Sequence, residues 1–264
     1  FVLALSYEFH EMNDLISGSD NVRDETNRRR SSNAVVVEMG YGFSQEWSIA
    51  YLTNYIAHDR QIGTSTSAEQ TTEGLGDSLV LLKYVPKTIS VFNQQEYGVG
   101  LGYKWSTGSN NQRNQLGIRY SEDMQPGAGA DGMLIWAYYA LAFSRDAKNT
   151  VHVALNRSFN EANSFNYQVG NDVNLSVAWQ SQLSDDWRFS GQVNWREAEA
   201  DKRFGADIPN TGGKWLDLKP AIQYRLTEDT SIRLGFTYPL TRRLAGALQF
   251  TTSKAWSIGV VSQF

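Results

Sequence analysis

The chain has no cysteine, five prolines and three histidines in 264 residues. The missing thiols exclude a disulfide scaffold, a thiolate metal centre and a cysteine nucleophile. No run of about 18 apolar residues occurs, which excludes a transmembrane helix. Positive charge is not in surplus either: 24 Lys and Arg stand against 28 Asp and Glu, a net charge of -4. A strongly basic nucleic-acid surface is thereby excluded. Helical periodicity is scarce, with no long stretch repeating apolar residues at i, i+3, i+4 and i+7. Mean hydropathy is negative, so bulk composition alone reads as a soluble protein.

What the sequence has is alternation. Leu3, Leu5, Tyr7 and Phe9 are apolar, while Ala4, Ser6, Glu8 and His10 lie between them. Val35, Val37, Met39 and Tyr41 repeat the pattern, as do Trp47, Ile49, Tyr51 and Tyr55. It continues through Val80, Leu82 and Tyr84, then Val99, Leu101 and Tyr103. The last segments carry Ile232, Leu234 and Phe236, then Trp256, Ile258 and Val260. Successive strand side chains point to opposite faces, so each set is one face of a strand. About twelve such strands are expected, an even number as a closed single-chain barrel requires.

The links alternate in length. Short ones are expected around Ser44-Gln45, Pro86-Lys87, Asp146-Ala147, Ser184-Asp185 and Thr227-Glu228. Long polar ones are expected over 12–30, 59–74, 106–130, 160–167, 200–213 and 240–254. Outer-membrane barrels have this asymmetry, with short periplasmic turns and long extracellular loops. Aromatics near strand ends, such as Trp47, Tyr84, Trp187, Tyr224 and Trp256, fit the girdles of such barrels. The expected fold is therefore an all-β transmembrane antiparallel barrel, a single domain over 1–264, in the bacterial outer membrane. Residue 1 already belongs to a strand, so a mature or trimmed chain is expected. Trp256, Ile258, Val260 and Phe264 resemble the terminal-strand signal read by the barrel assembly machinery. That machinery, outer-membrane lipids and lipopolysaccharide are the expected partners, beside a small-molecule solute and an unidentified protein partner.

On this reading the polar face lines a lumen. Its candidates for selectivity are Glu8, His10, Glu38, Asp77, Lys83, Glu96 and Lys104 on early strands. Arg188, Arg196, Asp217, Lys219, Arg225 and Arg233 follow on late strands. The two arcs are expected to face each other across the lumen. They would either set up a transverse field or close the barrel with salt bridges, since buried charges need partners. Asp77 is expected to pair with a lumen Lys or Arg. Trp136 and Tyr138 share the inward parity and offer rings to an aromatic solute. Arg28-Arg29-Arg30 reads as a solvated loop tip, with contact to lipopolysaccharide phosphates as the alternative. No metal site and no cofactor are expected. Gly98-Val99-Gly100-Leu101-Gly102 lies inside a strand, which removes a dinucleotide-loop reading.

Three segments resemble one barrel family. Gly74-Leu75-Gly76-Asp77 runs into an alternating strand that ends in Lys83-Tyr84. Lys104-Trp105-Ser106-Thr107-Gly108 is similar to that family's Leu-Pro-Thr-Gly element, with Trp-Ser in place of Leu-Pro. Gln125-Pro126-Gly127-Ala128-Gly129-Ala130-Asp131 resembles its glycine-rich loop. The family is the MetA-type transporters linked to phenol degradation. The resemblance implies a barrel that takes up small compounds, aromatic ones among them. Two other functions compete: a non-transporting barrel that scaffolds a partner, and an outer-membrane lipid hydrolase. A plugged lumen would mark the first, with Glu8, Glu38, Asp77, Lys83, Arg188, Arg196 and Arg225 paired among themselves. The second would depend on His152, with Asn156 and Ser158 on the same face.

Overall fold

A computed structural model describes residues 1–63, 69–87, 94–143 and 148–264. Antiparallel strands close into a barrel. The first staves are β1 (Val2–Met12), β2 (Arg29–Gly42) and β3 (Trp47–Gln61). Stave β4 is split into Gln70–Leu75 and Ser78–Tyr84. Then come β5 (Gln95–Trp105), β6 (Gly132–Ala142), β7 (Asn149–Asn160) and β8 (Asp172–Gln182). The rest are β9 (Trp187–Ala198), β10 (Gly213–Arg225), β11 (Thr230–Leu244) and β12 (Lys254–Gln263). The main sheet has 13 hydrogen-bonded strands; the two halves of β4 form one stave, which leaves twelve. β1 pairs with both β2 and β12, so the ring is complete. At the seam Phe264 N–H donates to the Phe1 carbonyl at 2.8 Å.

Closure follows from the solvent. In hydrocarbon every backbone N–H and C=O needs an internal partner, and an open sheet edge would leave a row unpaired. The alternation then assigns the faces. Leu5, Val99, Leu101, Ile135, Val177 and Ile258 are exposed on the outer surface. Such a belt suits lipid and would be an aggregation patch in water. Paired rings border it: Trp47 with Tyr84 at 4.8 Å and Trp187 with Tyr224 at 4.7 Å at the short-turn end. Tyr7 with Trp256 at 5.5 Å and Tyr103 with Trp105 at 5.1 Å lie toward the other. Three short turns share one device. Ser44, Ser184 and Thr227 each accept a backbone N–H three residues on, at 3.0, 3.2 and 3.0 Å. The expected turn at Asp146-Ala147 lies outside the described residues.

The long connections hold more structure than alternation alone implied. Within 59–74, Gln70–Leu75 is a strand paired with β3. Asp14–Ser17, Asp20–Val22 and Gln249–Thr251 form a small sheet above the mouth. Tyr167–Gln168, Lys202–Arg203 and Ala206–Asp207 form another. These strands are too short for periodicity to reveal.

The face assignment has a direct test. Leu101 is 60% exposed on the outer face, and Leu101→Arg is expected to cost about 2–4 kcal/mol in lipid. Ser176→Lys, on the inward parity of β8, is expected to cost much less. Urea unfolding in liposomes measures both, and equal losses would refute the face assignment.

Candidate functional site

The site begins at a break in β4. The β3–β4 register is Tyr55↔Leu75 above the break and Leu52↔Leu79 below it, one residue out of step. The extra residue makes a bulge at Gly76-Asp77 and turns Asp77 out of the ladder. Its Oδ1 accepts the backbone N–H of Gly108 at 3.1 Å and its Oδ2 that of Ala128 at 2.9 Å. Asp77 thus clasps both ends of the 106–130 segment. The clasp needs glycine. A Cβ on Gly108 would sit 2.7 Å from Gly127 Cα, and one on Gly127 2.6 Å from Gly108 Cα. The pairing of Asp77 with a lumen Lys or Arg is therefore corrected. Two backbone amides already satisfy the carboxylate.

Held there, the segment bends into the mouth. A single 3-10 turn, Glu122–Met124, forms its tip. Met124 is fully buried, and its carbonyl accepts the Thr72 hydroxyl at 2.5 Å. Asp123 is bridged by Arg30 of β2 at 3.2 Å and Arg60 of β3 at 3.1 Å. Arg60 also donates to Ser121 at 3.0 Å and to Gln70 at 2.6 Å. Behind them the buried His58 meets the Ser32 hydroxyl at 2.7 Å. Burial works against the charged form of Asp123. The Ser121 hydroxyl and the two guanidiniums outweigh it and hold the carboxyl below its ordinary range. Arg30 is not part of a solvated loop tip: inward parity carries it into the constriction. Arg28 pairs with Asp24 at 3.4 Å instead.

Above the constriction the loops border an open vestibule of about 1030 Å³. Tyr120, Phe165, Tyr167, Phe204 and Phe250 contribute rings to its wall. Arg119 lies 4.0 Å over the Phe165 ring and makes a two-pronged bridge to Glu122, both contacts at 2.7 Å. Arg203 reaches the same Glu122 at 3.5 Å. Charge-assisted pairs therefore tie this bowl to the tip of the segment.

Below the constriction the lumen walls differ. Trp136 and Tyr138 stack at 4.8 Å on the inner face of β6. They lie against β5 at Gly100 and Gly98, where an added Cβ would fall 3.2 and 2.5 Å from ring atoms. Lys83 stands 5.4 Å over the Trp136 ring, and Tyr138 donates to Glu96. On the other side, Glu8, His10 and Glu38 share a groove of about 350 Å³ with Gln192, Lys219 and Arg233.

The remaining predicted residues are dispersed. Lys104 donates to Asn160 at 3.0 Å, and Arg196 pairs with Asp172 at 3.0 Å while covering Trp215. Asp217 lies in the field of Lys219, Arg242 and Arg196. Arg188 and Arg225 line a cavity at the short-turn end, where Arg225 pairs with Asp186 at 3.3 Å. Trp256, Ile258 and Val260 face outward on β12, and Phe264 follows its end. In a ring of twelve staves β4 stands opposite β10 and β5 opposite β11, so Asp77, Lys83, Glu96 and Lys104 lie across the lumen from the wall that carries Asp217, Lys219, Arg225 and Arg233. The ring also brings the ends of the chain together, with β12 alone between β1 and β11. Across that seam Glu8 and Glu38 share a groove with Lys219 and Arg233. Among the described residues, no ion pair joins any two of Glu8, Glu38, Asp77, Lys83, Arg188, Arg196 and Arg225. His152 faces inward and bonds Thr150 at 3.0 Å, while Ser158 donates to Asp172. Six residues of strand, roughly 20 Å, separate His152 from Ser158.

The sequence signal for Arg30 and Arg60 is parity, since both continue inward series (Ser32 and Ala34; Ile56 and His58). Asp123, Met124, Arg119 and Glu122 sit in a loop without periodicity, and no sequence signal marked them.

These features define an outer-membrane β-barrel of twelve staves with an inserted loop. No protein-family model matches the sequence, and no curated protein matches it. Solved structures do share the fold. The COG4313 outer membrane channel from Pseudomonas putida F1 superposes with TM-score 0.74 at 10% identity, over 100% of this chain and 94% of that one. The NanC porin gives TM-score 0.57 at 11% identity, over 99% of this chain and 100% of that one. The translocator domain of the autotransporter NalP from Neisseria meningitidis gives 0.53 at 7% identity, over 100% of this chain and 88% of that one. At such identities the likeness concerns the fold, the bacterial outer-membrane barrel.

Two outcomes test the constriction. Asp77→Ala removes a charged acceptor whose hydrogen bonds contribute about 1.5–3 kcal/mol each. Trypsin is then expected to cut the folded barrel at Arg113 or Arg119 at least about tenfold faster; an unchanged rate would show that Asp77 holds nothing. The lowered Asp123 carboxyl keeps its bridges at neutral pH. They are lost only as pH falls below the ordinary carboxylate value of about 3.9. Pepsin cleavage of the wild-type segment near Leu116 or Tyr120, normalised to a free peptide at each pH, should therefore accelerate below that value and stay flat above it, and an onset near pH 5 would contradict this.

Proposed function

We propose that the chain is a passive outer-membrane channel for small solutes, aromatic or hydrophobic compounds among them, without covalent chemistry. The observation that carries this reading is the ring-lined vestibule above a constriction held by ion pairs. Phe165, Tyr167 and Phe204 offer apolar faces to a solute leaving water. The Arg30–Asp123–Arg60 bridge then sets the size of what passes, as charged rings do in other pores. The MetA-type motifs support the same solute class, and the likeness to a solved outer-membrane channel supports the mode of transport. Selectivity is assigned to the constriction and to the lumen charges below it. The outward row of Trp256, Ile258, Val260 and Phe264 fits recognition by the assembly machinery. The belt and its girdles fit lipid and lipopolysaccharide as surroundings.

Purified protein in planar bilayers and in swelling liposomes tests this. Stepwise conductance and entry of small neutral sugars are expected. Asp123→Ala should raise unit conductance about twofold or more by releasing the tip. A correctly folded barrel that passes neither ions nor sugars would refute the channel.

A further inference from the structure

We propose that the groove at the β1–β12 seam is a binding site for small zwitterions, compounds with an ammonium and a carboxylate a few bonds apart. The inference rests on the channel reading and deepens it by naming a solute class for the lumen. Its first support is the arrangement of charge. Glu8 and Glu38 form one bank, on β1 and β2; Lys219 and Arg233 form the other, on β10 and β11. Among the described residues, no ion pair or hydrogen bond joins the banks; Glu8 meets His10 at 3.5 Å and lies in the field of Lys219. Glu38 and Arg233 are exposed, so water in the groove solvates these charges and a solute of matching charge can take its place.

The second support is the floor. The trough between the banks carries Ser6, Ser257, Gly259 and Gly235. The register sets Glu8 beside Ser257, and Ser257 beside Gly235. The β1 and β11 backbones are therefore two strand spacings apart, roughly 10 Å. With no long side chain on β12 to fill that span, the opposed charges stay apart. A volume of about 350 Å³ remains, enough for a molecule the size of an amino acid.

The chemistry follows from the field across the trough. An ammonium gains at Glu8 and Glu38, and a carboxylate gains hydrogen bonds from Lys219 and Arg233. A cation or an anion alone is drawn to one bank and repelled by the other. A neutral solute gains from neither. Only a solute carrying both charges is favoured at both ends, and the field also fixes its orientation.

The test uses the full barrel in liposomes with a size-matched set: γ-aminobutyrate, butyrate, n-butylammonium and neutral erythritol. Wild type is expected to admit γ-aminobutyrate about threefold to fivefold faster than either single ion, a ratio in keeping with solvent-accessible ion pairs. Glu8→Gln with Glu38→Gln should abolish that advantage and shift the reversal potential in a KCl gradient toward anions. Lys219→Gln with Arg233→Gln should abolish it and shift the potential toward cations. Calorimetric titration of γ-aminobutyrate into the detergent-solubilised barrel reads the site without conduction. Folding of each variant is checked by its migration on unheated gels. Glu38→Gln alone replaces any double variant that fails to fold. Erythritol and ions passing with no zwitterion advantage, and with selectivity unmoved in both variants, would overturn the site and leave the channel standing. No calorimetric binding together with no conductance would overturn both.

Discussion

The constraint on which the structure depends is the absence of water in the bilayer core. Each unpaired backbone group there costs several kcal/mol. A chain without an apolar helix can meet that requirement only by closing a sheet on itself. Closure requires strand pairing at the seam, and the β1–β12 register supplies it. It also forces one face of every stave into lipid and the other into the lumen. The negative mean hydropathy and the exposed apolar belt then describe the same molecule. The lumen lowers the average, and the belt is too thin on each strand to raise it.

Closure also decides which residues become neighbours. Glu8 and Arg233 are far apart in sequence and two staves apart in the ring. Linear order suggested two facing arcs, and circular order also brings the ends of the chain together. The charged groove is a product of the seam. The aromatic wall is a product of consecutive strands, since Trp136 and Tyr138 lie on the glycines of the preceding stave.

The strands and their outward faces were legible because a period of two is a local property. Leu101 faces lipid for the same reason that Val99 does. The inward position of Lys83 or Glu96 was legible too, though their partners were not. Asp77 shows the limit. Its inward parity was correct, but a bulge turned it toward two backbone amides, and amides leave no trace in a side-chain pattern. The constriction was further out of reach. Arg30, Arg60 and Asp123 come from two staves and a distant loop, brought together by a turn that no periodicity announces. Short polar strands in the loops, such as Tyr167–Gln168, were hidden for the same reason.

The clasp at Asp77 has a consequence for how such a mouth can change over time. The carboxylate grips main chain, which is the same for every residue, and asks only that Gly108 and Gly127 remain bare. Between those fixed points the loop is a cassette. Its side chains can be rewritten, lengthened or exchanged without disturbing the fastening. The barrel can thus keep one frame while trading one tip for another.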